Sequence, residues 1–322
     1  MKILCFGAGA IGGYVGTSLA LEGHKVGFLE RAHNIAKLQS NGFELETETD
    51  TKQLRSPTLF PTVKEAMVDG PYDFAILALK SYDTAEALDS LKGFEAKAPP
   101  ILCLQNGVDN EALIADRLGQ DKVIAGTVTT AIGKAGPGRL KLERKRGIGV
   151  GANHEMSEAI VNAMNQAGLN ARLYSNAASM KWSKLLTNLL ANAQCAILDL
   201  NPRAIFSAKK TYDIEVKIQR EAMQVMRKLK LPVVDLPGTP VRALAIGMGK
   251  LPNRISQPLV LKFAGAGRGD KMPSLHIDRF GGRQKNEVNW LNGAVVRWGQ
   301  KVGVDAPVNL DLTDKLEELI GV

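Results

Sequence analysis

Three regularly spaced polar side chains lie in a mostly apolar stretch between Ser179 and Leu200. Lys184, Asn188 and Asn192 follow one another at intervals of four residues. In one continuous helix, this spacing places all three on the same face. An ammonium group can donate a proton and amides can orient a small polar molecule, so the pattern is typical of a substrate cleft. A hydrogen-bonded contact between helices, or a solvated face, would give the same pattern. Lys181 also lies near this face, and spacing alone does not choose between the two lysines.

A glycine-rich turn near the start of the chain has the spacing GxGxxG. Its six residues are Gly7, Ala8, Gly9, Ala10, Ile11 and Gly12. The turn follows a predicted strand at Lys2 to Phe6 and opens a predicted helix at Ala10 to Leu21. In that context the first glycine allows a tight turn, the second lets the backbone approach a pyrophosphate, and the third lets helix and strand pack closely. The helix N-terminus adds free N–H groups and a positive partial charge. The motif predicts a dinucleotide site; a turn without ligand is the alternative.

The end of the second predicted strand carries two groups that can select the nicotinamide cofactor. Glu30 could bind the ribose 2′-hydroxyl of NADH, whereas Arg31 could hold the 2′-phosphate of NADPH. Both side chains are present, so this position leaves the preference open.

Strand-length apolar runs alternate with helical patterns through the first half of the chain. The runs at 74–79 and 101–104 are followed by predicted helices at Thr84–Leu91 and Asn110–Leu118. This alternation predicts an α/β fold with a Rossmann-type parallel sheet and helices on both of its faces. A Gly-Pro-Gly sequence at 136–138 predicts a hairpin turn.

Longer helical patterns replace the strands after about Tyr174. They cover 179–200, 212–229, 252–263 and 286–302. We therefore predict two domains: residues 1–172 bind the dinucleotide, and residues 173–322 form an all-α domain that carries the substrate and catalytic groups. The stretch from Gly265 to Gly282 is rich in glycine and charge, which predicts a functional loop.

Composition narrows the class of ligand and the environment. The net charge is +8, but the densest basic run, at 139–146, has no interleaved aromatic residues. We therefore predict small anionic ligands and no nucleic acid. Glycines occur throughout the uncharged stretch at 3–21, so we expect a strand, a turn and a helix there, and neither a membrane span nor an export signal. Cys5, Cys103 and Cys195 lie far apart, which predicts reduced thiols, no metal site and a cytoplasmic protein.

The chain resembles the ketopantoate reductase family in an ordered set of short segments. They are GAGAIGG at 7–13, LKSYD at 79–83, QNGVDNE at 105–111, KWSKLLTN at 181–188, PSLHID at 273–278 and EVNWLNG at 287–293. The set spans nearly the whole chain and is more specific than any one segment. The resemblance implies NADPH-dependent reduction of 2-dehydropantoate to pantoate. Glu30 keeps NADH open as an alternative hydride donor.

The resemblance also implies roles for individual residues. The segment at 182–188 is similar to the family pattern W-x-K-L-x-x-N, in which Lys184, and not Lys181, matches the catalytic lysine. Glu287 matches a carboxylate that contacts the substrate hydroxyl; taken alone, it would be interpreted as a solvated acid at a helix start. Substrate-binding residues are matched by Asn106, Asn188, Asn192 and Ser274, and residues near the nicotinamide by Lys80 and Asn106.

Some residues depart from the family pattern and keep two alternatives open. Asn289 stands where an aspartate is usual, and GGRQKNE before it needs one extra residue. Lys271 lies where a substrate-binding asparagine is often found; it could pair with the substrate carboxylate or indicate a different 2-oxo acid. The alternatives are thus a reductase of another small 2-oxo acid and a non-catalytic NAD(P)-sensing protein. Lys184 and Glu287 favour an enzyme, because a sensor needs neither. A homodimer is a candidate assembly that the sequence does not test.

Overall fold

The computed structural model describes residues 1–268 and 272–321, with side chains for all of these except 263–268. The chain forms two compact units, and neither is continuous in sequence. The first unit comprises Met1–Gln105, Asn110–Ala177 and Leu236–Thr239, and the second comprises Asn106–Asp109, Ala178–Asp235 and Pro240–Val322.

Twelve strands lie in the described part of the first unit. They are β1 Lys2–Phe6, β2 Lys25–Leu29, β3 Phe43–Glu46, β4 Thr51–Leu54, β5 Thr58–Phe60, β6 Phe74–Leu77, β7 Ile101–Cys103, β8 Val123–Val128, β9 Ala131–Gly136, β10 Arg139–Arg144, β11 Ile148–Gly151 and β12 Ala171–Tyr174. Eight of them form a sheet in the order β12-β11-β8-β7-β6-β1-β2-β5. All neighbours in this sheet are parallel except β8 and β11.

Six helices accompany these strands. They are α1 Ala10–Leu21, α2 Ala32–Asn41, α3 Val63–Asp69, α4 Thr84–Asp89, α5 Asn110–Leu118 and α6 Ser157–Gln166. Alternate residues of β1 enter two different buried clusters: Ile3 and Cys5 belong to one, Leu4 and Phe6 to the other. The sheet is therefore covered on both faces, which explains why its strands are continuous apolar runs. The predicted Rossmann-type α/β class is confirmed.

The hairpin predicted at the Gly-Pro-Gly sequence joins β9 to β10. These two strands belong to a second, four-stranded sheet in the order β4-β3-β10-β9. The sequence patterns had not indicated β3, β4 or β5, which are short and carry several exposed polar side chains.

The described part of the second unit is helical. Its helices are α7 Ala177–Leu189, α8 Asn192–Leu198, α9 Pro202–Ser207, α10 Lys209–Lys228, α11 Val241–Lys250, α12 Asn253–Arg268, α13 Ser274–Phe280, α14 Val288–Val302 and α15 Pro307–Ile320. Two predictions here are wrong. The single helix predicted from Ser179 to Leu200 is two helices, because Ala191 adopts the left-handed conformation with a φ of 54°. The loop predicted from Gly265 to Gly282 contains α13, whose seven residues are flanked by the glycines that suggested a loop.

Within the described ranges, no helix combines the length and the apolarity that crossing a bilayer requires.

Candidate functional site

The glycine turn at the end of β1 has the local geometry that its spacing predicts. Gly7 has a φ of +94°, and a Cβ atom there would lie 2.6 Å from Cδ2 of Leu79. A Cβ atom on Gly12 would lie 2.0 Å from the carbonyl oxygen of Gly7 and 3.0 Å from Sγ of Cys5. The fold itself therefore requires glycine at both positions, the first for the turn and the last for close packing of α1 on β1.

Gly9 differs from these two glycines because the fold does not require it. Its φ is −74°, which any residue can adopt, and a Cβ atom there would meet no atom within 4 Å. Gly9 immediately precedes α1, whose first turn offers N–H groups to a ligand. The open space beside its backbone fits a pyrophosphate that approaches closely, and no acidic side chain lies in the first turn to repel it. The turn is therefore suited to a dinucleotide.

Glu30, just beyond β2, directs its carboxylate into this turn. Oε2 accepts a hydrogen bond from the backbone N–H of Ala8 at 3.0 Å, while Oε1 accepts from the N–H of Arg31 at 2.9 Å and from Nδ2 of Asn34 at 3.1 Å. Three donors thus fix the carboxylate beside the phosphate-binding backbone. An acceptor at this place can bind a ribose hydroxyl.

The guanidinium of Arg31 has a looser environment than Glu30. Its side chain is 71% exposed, and its closest described carboxylate is that of Asp83 at 3.8 Å. Since an exposed ion pair at this distance is weak, the guanidinium can turn toward a bound phosphate.

A cavity of about 450 Å³ continues from the glycine turn within the first unit. Gly7, Leu29 and Phe94 contribute apolar walls, and Glu30 and Arg31 line its polar edge. Its volume lies in the usual range for ligand pockets. The charged lining residues are Glu30, Asp83, Glu86, Arg31 and Lys64, so carboxylates outnumber cations by three to two.

Lys80 follows β6 at the start of a short 3-10 turn over Ser81–Asp83. A buried network holds this turn: Nε2 of Gln105 donates to the carbonyl oxygens of Leu79 and Lys80 and to Oγ1 of Thr84. Gln105 lies just beyond β7, so its side chain ties together the loops at the carboxyl ends of two neighbouring strands. The sequence patterns had singled out Lys80 but not Gln105, because a glutamine between apolar runs carries no distinctive signal.

The polar stripe predicted in the second unit is interrupted. Lys184 and Asn188 lie one turn apart on α7, but Asn192 belongs to α8, beyond the left-handed Ala191. The prediction that all three residues share one helix face is therefore wrong for Asn192. The break instead directs Asn188 and Asn192 to different partners.

Asn188 contacts Asn106, which belongs to the second unit although it follows β7 in the chain. Nδ2 of Asn188 donates to Oδ1 of Asn106 at 2.9 Å. Asp109 anchors the same loop, because Oδ1 accepts from Nε1 of Trp298 at 2.7 Å and Oδ2 from Arg297 at 2.5 Å. Two residues predicted to bind substrate, Asn106 and Asn188, are thus brought into direct contact.

Asn192 holds the start of α13. Its Oδ1 accepts from the backbone N–H of Leu275 at 3.0 Å, and its Nδ2 donates to Oγ of Ser274 at 3.3 Å. The backbone donor settles which amide atom is the oxygen. Because Oγ of Ser274 accepts from the amide, its hydroxyl hydrogen can point elsewhere, for example toward a carboxylate.

The two proposed catalytic side chains have different surroundings. Lys184 is partly exposed, whereas its sequence rival Lys181 is only 4% exposed. Glu287 directly precedes α14 and is 2% exposed, so the interpretation as a solvated acid does not hold. The first turn of α14 also passes the loop that carries Asn106, since a Cβ atom on Gly107 would lie 2.8 Å from the carbonyl oxygen of Trp290. Lys271 lies outside the described residues.

Asn286 is a candidate that the sequence patterns did not suggest. Its Oδ1 accepts from the N–H of Val288 at 2.8 Å, whereas its buried Nδ2 has no hydrogen-bond partner among the described residues. A buried amide donor without a partner is uncommon and is available to a ligand. No sequence signal distinguishes this asparagine from an ordinary helix cap.

The fold and the glycine turn define the class of protein: a Rossmann-type dinucleotide-binding protein. Comparison with known proteins then gives the family. The family model "Ketopantoate reductase PanE/ApbA" matches residues 3–155, and the model of the C-terminal part of the same family matches residues 176–319. The chain belongs to the ketopantoate reductase family, as its short segments predicted.

Individual relatives agree with this assignment along their whole length. The chain is 28% identical over 315 residues to a 2-dehydropantoate 2-reductase of Pyrococcus horikoshii, covering 96% of this chain and 94% of the relative. It is 25% identical over 317 residues to the enzyme of the same name from Streptococcus pyogenes serotype M3, with 95% and 94% covered. Among solved structures, a PanE/ApbA family ketopantoate reductase from Ralstonia eutropha has a TM-score of 0.83 at 23% identity, covering 100% of this chain and 99% of the other. A D-mandelate dehydrogenase with NADH and anilino(oxo)acetate has a TM-score of 0.81 at 21% identity, with 100% and 98% covered. At these identities the two structures show the shared fold.

Proposed function

We propose that the protein reduces 2-dehydropantoate to pantoate, with NADPH as the hydride donor and Lys184 as the general acid. The observation that carries the proposal is the arrangement of amides around the helix break: Asn188 pairs with Asn106, and Asn192 pairs with Ser274. Lys184 lies one turn before Asn188 on the same helix. A short stretch of chain therefore offers a proton donor and hydrogen-bonding groups suited to a 2-oxo acid.

The two units divide the work in this proposal. The first unit, with its glycine turn and the cavity beside Glu30 and Arg31, holds the cofactor. The second unit, with α7, α8 and the starts of α13 and α14, holds the substrate. The proposal therefore assigns one ligand to each unit.

A nicotinamide held by the glycine turn would supply a hydride to the ketone carbon of the substrate. The ammonium of Lys184 then has two tasks: it stabilises the negative charge that develops on the ketone oxygen, and it transfers a proton to that oxygen. The products would be a secondary alcohol, the oxidised nicotinamide and a neutral amine on Lys184 that solvent reprotonates. Glu287 accepts a hydrogen bond from the new hydroxyl and keeps it in place.

Asn192 and Ser274 bind the other end of the substrate. The amide of Asn192 already occupies the acceptor side of Oγ of Ser274, so the Ser274 hydroxyl donates to the substrate carboxylate. Asn106 and Asn188 orient the ketone and the hydroxyl groups without competing for the proton. Lys271, which stands where the family often has a substrate-binding asparagine, would add a positive charge to the carboxylate end.

The cofactor preference rests on the charges at the end of β2. Arg31 supports NADPH, because its exposed guanidinium can bind the 2′-phosphate. Glu30 is the specific observation that favours NADH as the second candidate. Its carboxylate is fixed by three N–H donors where a ribose hydroxyl would bind, and a phosphate there would be repelled.

The sequence departures at Lys271 and Asn289 support a second candidate substrate, another small 2-oxo acid reduced by the same groups. A cytoplasmic location and a homodimer stay predictions. The oligomeric state can be measured on the purified protein, and the location can be determined in cells.

The experiment follows the loss of reduced-nicotinamide absorbance. The purified protein is given NADPH or NADH with 2-dehydropantoate and with a panel of 2-oxo acids that differ in size and branching. We expect the highest kcat/KM with 2-dehydropantoate and NADPH. A higher value with another 2-oxo acid would replace the substrate, and cofactor binding without turnover of any panel member would leave a nicotinamide sensor.

A further inference from the structure

The break between α7 and α8 leaves backbone groups without hydrogen-bond partners inside either helix. A helix end leaves carbonyl groups without intrahelical partners, and the next helix start leaves N–H groups in the same state. Ala191, at the break, is fully buried and left-handed, although its side chain disfavours that conformation. The break contains neither glycine nor proline, so its own residue types do not favour it.

Two side chains of α10 satisfy the backbone groups on the two sides of the break. Oε2 of Glu215 accepts from the N–H of Ala191 at 2.8 Å, and Nε2 of Gln219 donates to the carbonyl oxygen of Leu186 at 2.9 Å. Glu215 and Gln219 are four residues apart, so they lie on one face of α10. The Glu215 carboxylate therefore accepts from the backbone at the start of α8, and the Gln219 amide donates to the backbone at the end of α7.

Glu215 is held in turn by Gln194 of α8. Nε2 of Gln194 donates to Oε1 of Glu215 at 2.6 Å and to the carbonyl oxygen of Thr211 at 3.0 Å. Glu215 is 0% exposed, so its carboxylate is a buried acceptor with donors from both the break and the first turn of α8. Both of these donors belong to the chain segment that presents Asn192.

We infer that Glu215 is a positioning residue for substrate binding, which acts by fixing the helix break so that Asn192 reaches Ser274. The inference rests on the proposed function, because it assigns a consequence to the substrate groups named there. Glu215 does not touch the substrate. Its effect should fall on the carboxylate end of the 2-oxo acid, since Lys184 lies on α7, before the break.

The test is Glu215→Gln, which keeps the shape of the side chain and removes its charge. The new amide has one acceptor oxygen where the carboxylate has two, one for the N–H of Ala191 and one for Nε2 of Gln194. Gln194 cannot rotate its own amide to compensate, because Nε2 would then lose its bond to the carbonyl oxygen of Thr211. We expect the KM for the 2-oxo acid to rise by on the order of tenfold, as for the loss of one uniform binding interaction. The kcat should stay within about threefold of the wild type, and the dissociation constant of the cofactor should not change.

Glu221→Gln is the matched control. Glu221 is also a buried carboxylate on α10, 9% exposed, but it accepts from the N–H groups of Val308 and Asn309 at the start of α15. Its loss should lower the melting temperature and leave the KM unchanged. A rise in KM for both variants alike would mean that general loosening, and not the break, causes the effect, and would overturn the inference.

A second variant tests the mechanism of positioning. Glycine adopts the left-handed conformation without strain, so Ala191→Gly in the Glu215→Gln background should return the KM toward the wild-type value. If the double variant keeps the raised KM, a favourable conformation at residue 191 does not restore substrate binding, and the inference that Glu215 acts by fixing the break is wrong. Should Glu215→Gln not fold, Glu215→Asp takes its place, because the shorter side chain keeps the charge but cannot reach Ala191.

The wild-type protein separates this inference from the proposed function. Absence of wild-type turnover with every 2-oxo acid refutes the proposed function. An active wild type whose Glu215→Gln variant has an unchanged KM refutes the inference alone.

Discussion

The two glycines at the ends of the GxGxxG pattern and the one in its middle should respond differently to the same added methyl group. In Gly12→Ala, the new Cβ atom would lie 2.0 Å from the carbonyl oxygen of Gly7, which belongs to the turn itself. In Gly9→Ala, it would meet no atom within 4 Å. We therefore expect Gly12→Ala to damage the fold and Gly9→Ala to damage only cofactor binding.

The magnitudes follow from these contacts. Relief of the clash at Gly12 requires a backbone shift of about 1 Å in a packed turn, which costs about 3 kcal/mol or more. For a unit of this size, that corresponds to a fall in melting temperature of about 6–12 °C. At Gly9, alanine restricts the unfolded chain, a gain of about 0.4–1 kcal/mol. Alanine is also a poorer residue than glycine before a helix start, at a cost of about 0.5–1 kcal/mol. The two effects nearly cancel, so the melting temperature should move by less than about 2 °C.

The assay pairs thermal unfolding with titration of NADPH by fluorescence. Gly9→Ala should unfold like the wild type but bind the cofactor at least about tenfold more weakly, because its methyl group occupies the space of the pyrophosphate. Arg31→Ala, which removes no hydrogen bond of the glycine turn, gives a reference for loss of a cofactor contact outside the turn. A Gly9→Ala protein with wild-type stability and a wild-type dissociation constant would refute the placement of the pyrophosphate at this turn.

Three other predictions concern the proton donor, the cofactor preference and the thiols. Lys184→Ala should abolish turnover and leave cofactor binding unchanged, whereas Lys181→Ala should lower stability and keep kcat near the wild-type value; steady-state rates of both variants decide which lysine is the acid. Glu30→Gln should raise the kcat/KM with NADPH relative to the kcat/KM with NADH by about tenfold or more. The reason is that repulsion between one unit charge and a doubly charged phosphate amounts to about 1–2 kcal/mol even at water-like screening. An unchanged ratio would show that Glu30 does not face the ribose. Burial raises the pKa of the Cys5 thiol, and all three cysteines are buried, so a thiol reagent at about pH 8 should label the native protein slowly and the unfolded protein at three sites. Rapid labelling of the native protein would contradict this.

The parts of the fold that local patterns determine were predictable. The glycine turn, the alternating strands and helices and the hairpin after β9 depend on residues close together in the chain, and each is present in the structure. The short strands β3 to β5 were not predicted. Strand β4 has neither an apolar run nor a regular alternation, and β5 has only three residues. Strand β3 alternates apolar and polar residues, but over only four positions.

The helix break could not be predicted from its own residues. Leu190 and Ala191 both favour helices, and the apolar pattern continues across them. The break is stabilised from outside by Glu215, which lies 24 residues further along the chain. Tertiary contacts therefore overrode local propensity. A buried carboxylate on an amphipathic helix was the one available signal, and it did not reveal its partner.

The candidate site was predictable in residue types but not in its pairings. Spacing indicated Lys184, Asn188 and Asn192, whereas Ser274 and Glu287 were indicated only by the family resemblance. The burial of Glu287 was unexpected, because acids at helix starts are usually solvated. The contact between Asn106 and Asn188 joins segments 82 residues apart, which no local pattern records.

The discontinuous make-up of the two units limits how the chain can be divided. Thr129 of the first unit donates to the carbonyl oxygen of Pro237 at 2.8 Å, and Gly238 packs against Arg146 of the same unit. A polypeptide that stops near residue 172 would lack this late segment. The Thr129 hydroxyl would then keep only the carbonyl oxygen of Gly147 as an acceptor, and the backbone and side chain of Arg146 would lose their contact with Gly238. The complementary half would lack residues 106–109, and with them the anchor that Asp109 gives to Trp298. A separately expressed nucleotide-binding half should therefore be less stable than the intact chain. Addition of residues 236–239, as a peptide or through a short linker, should restore its stability.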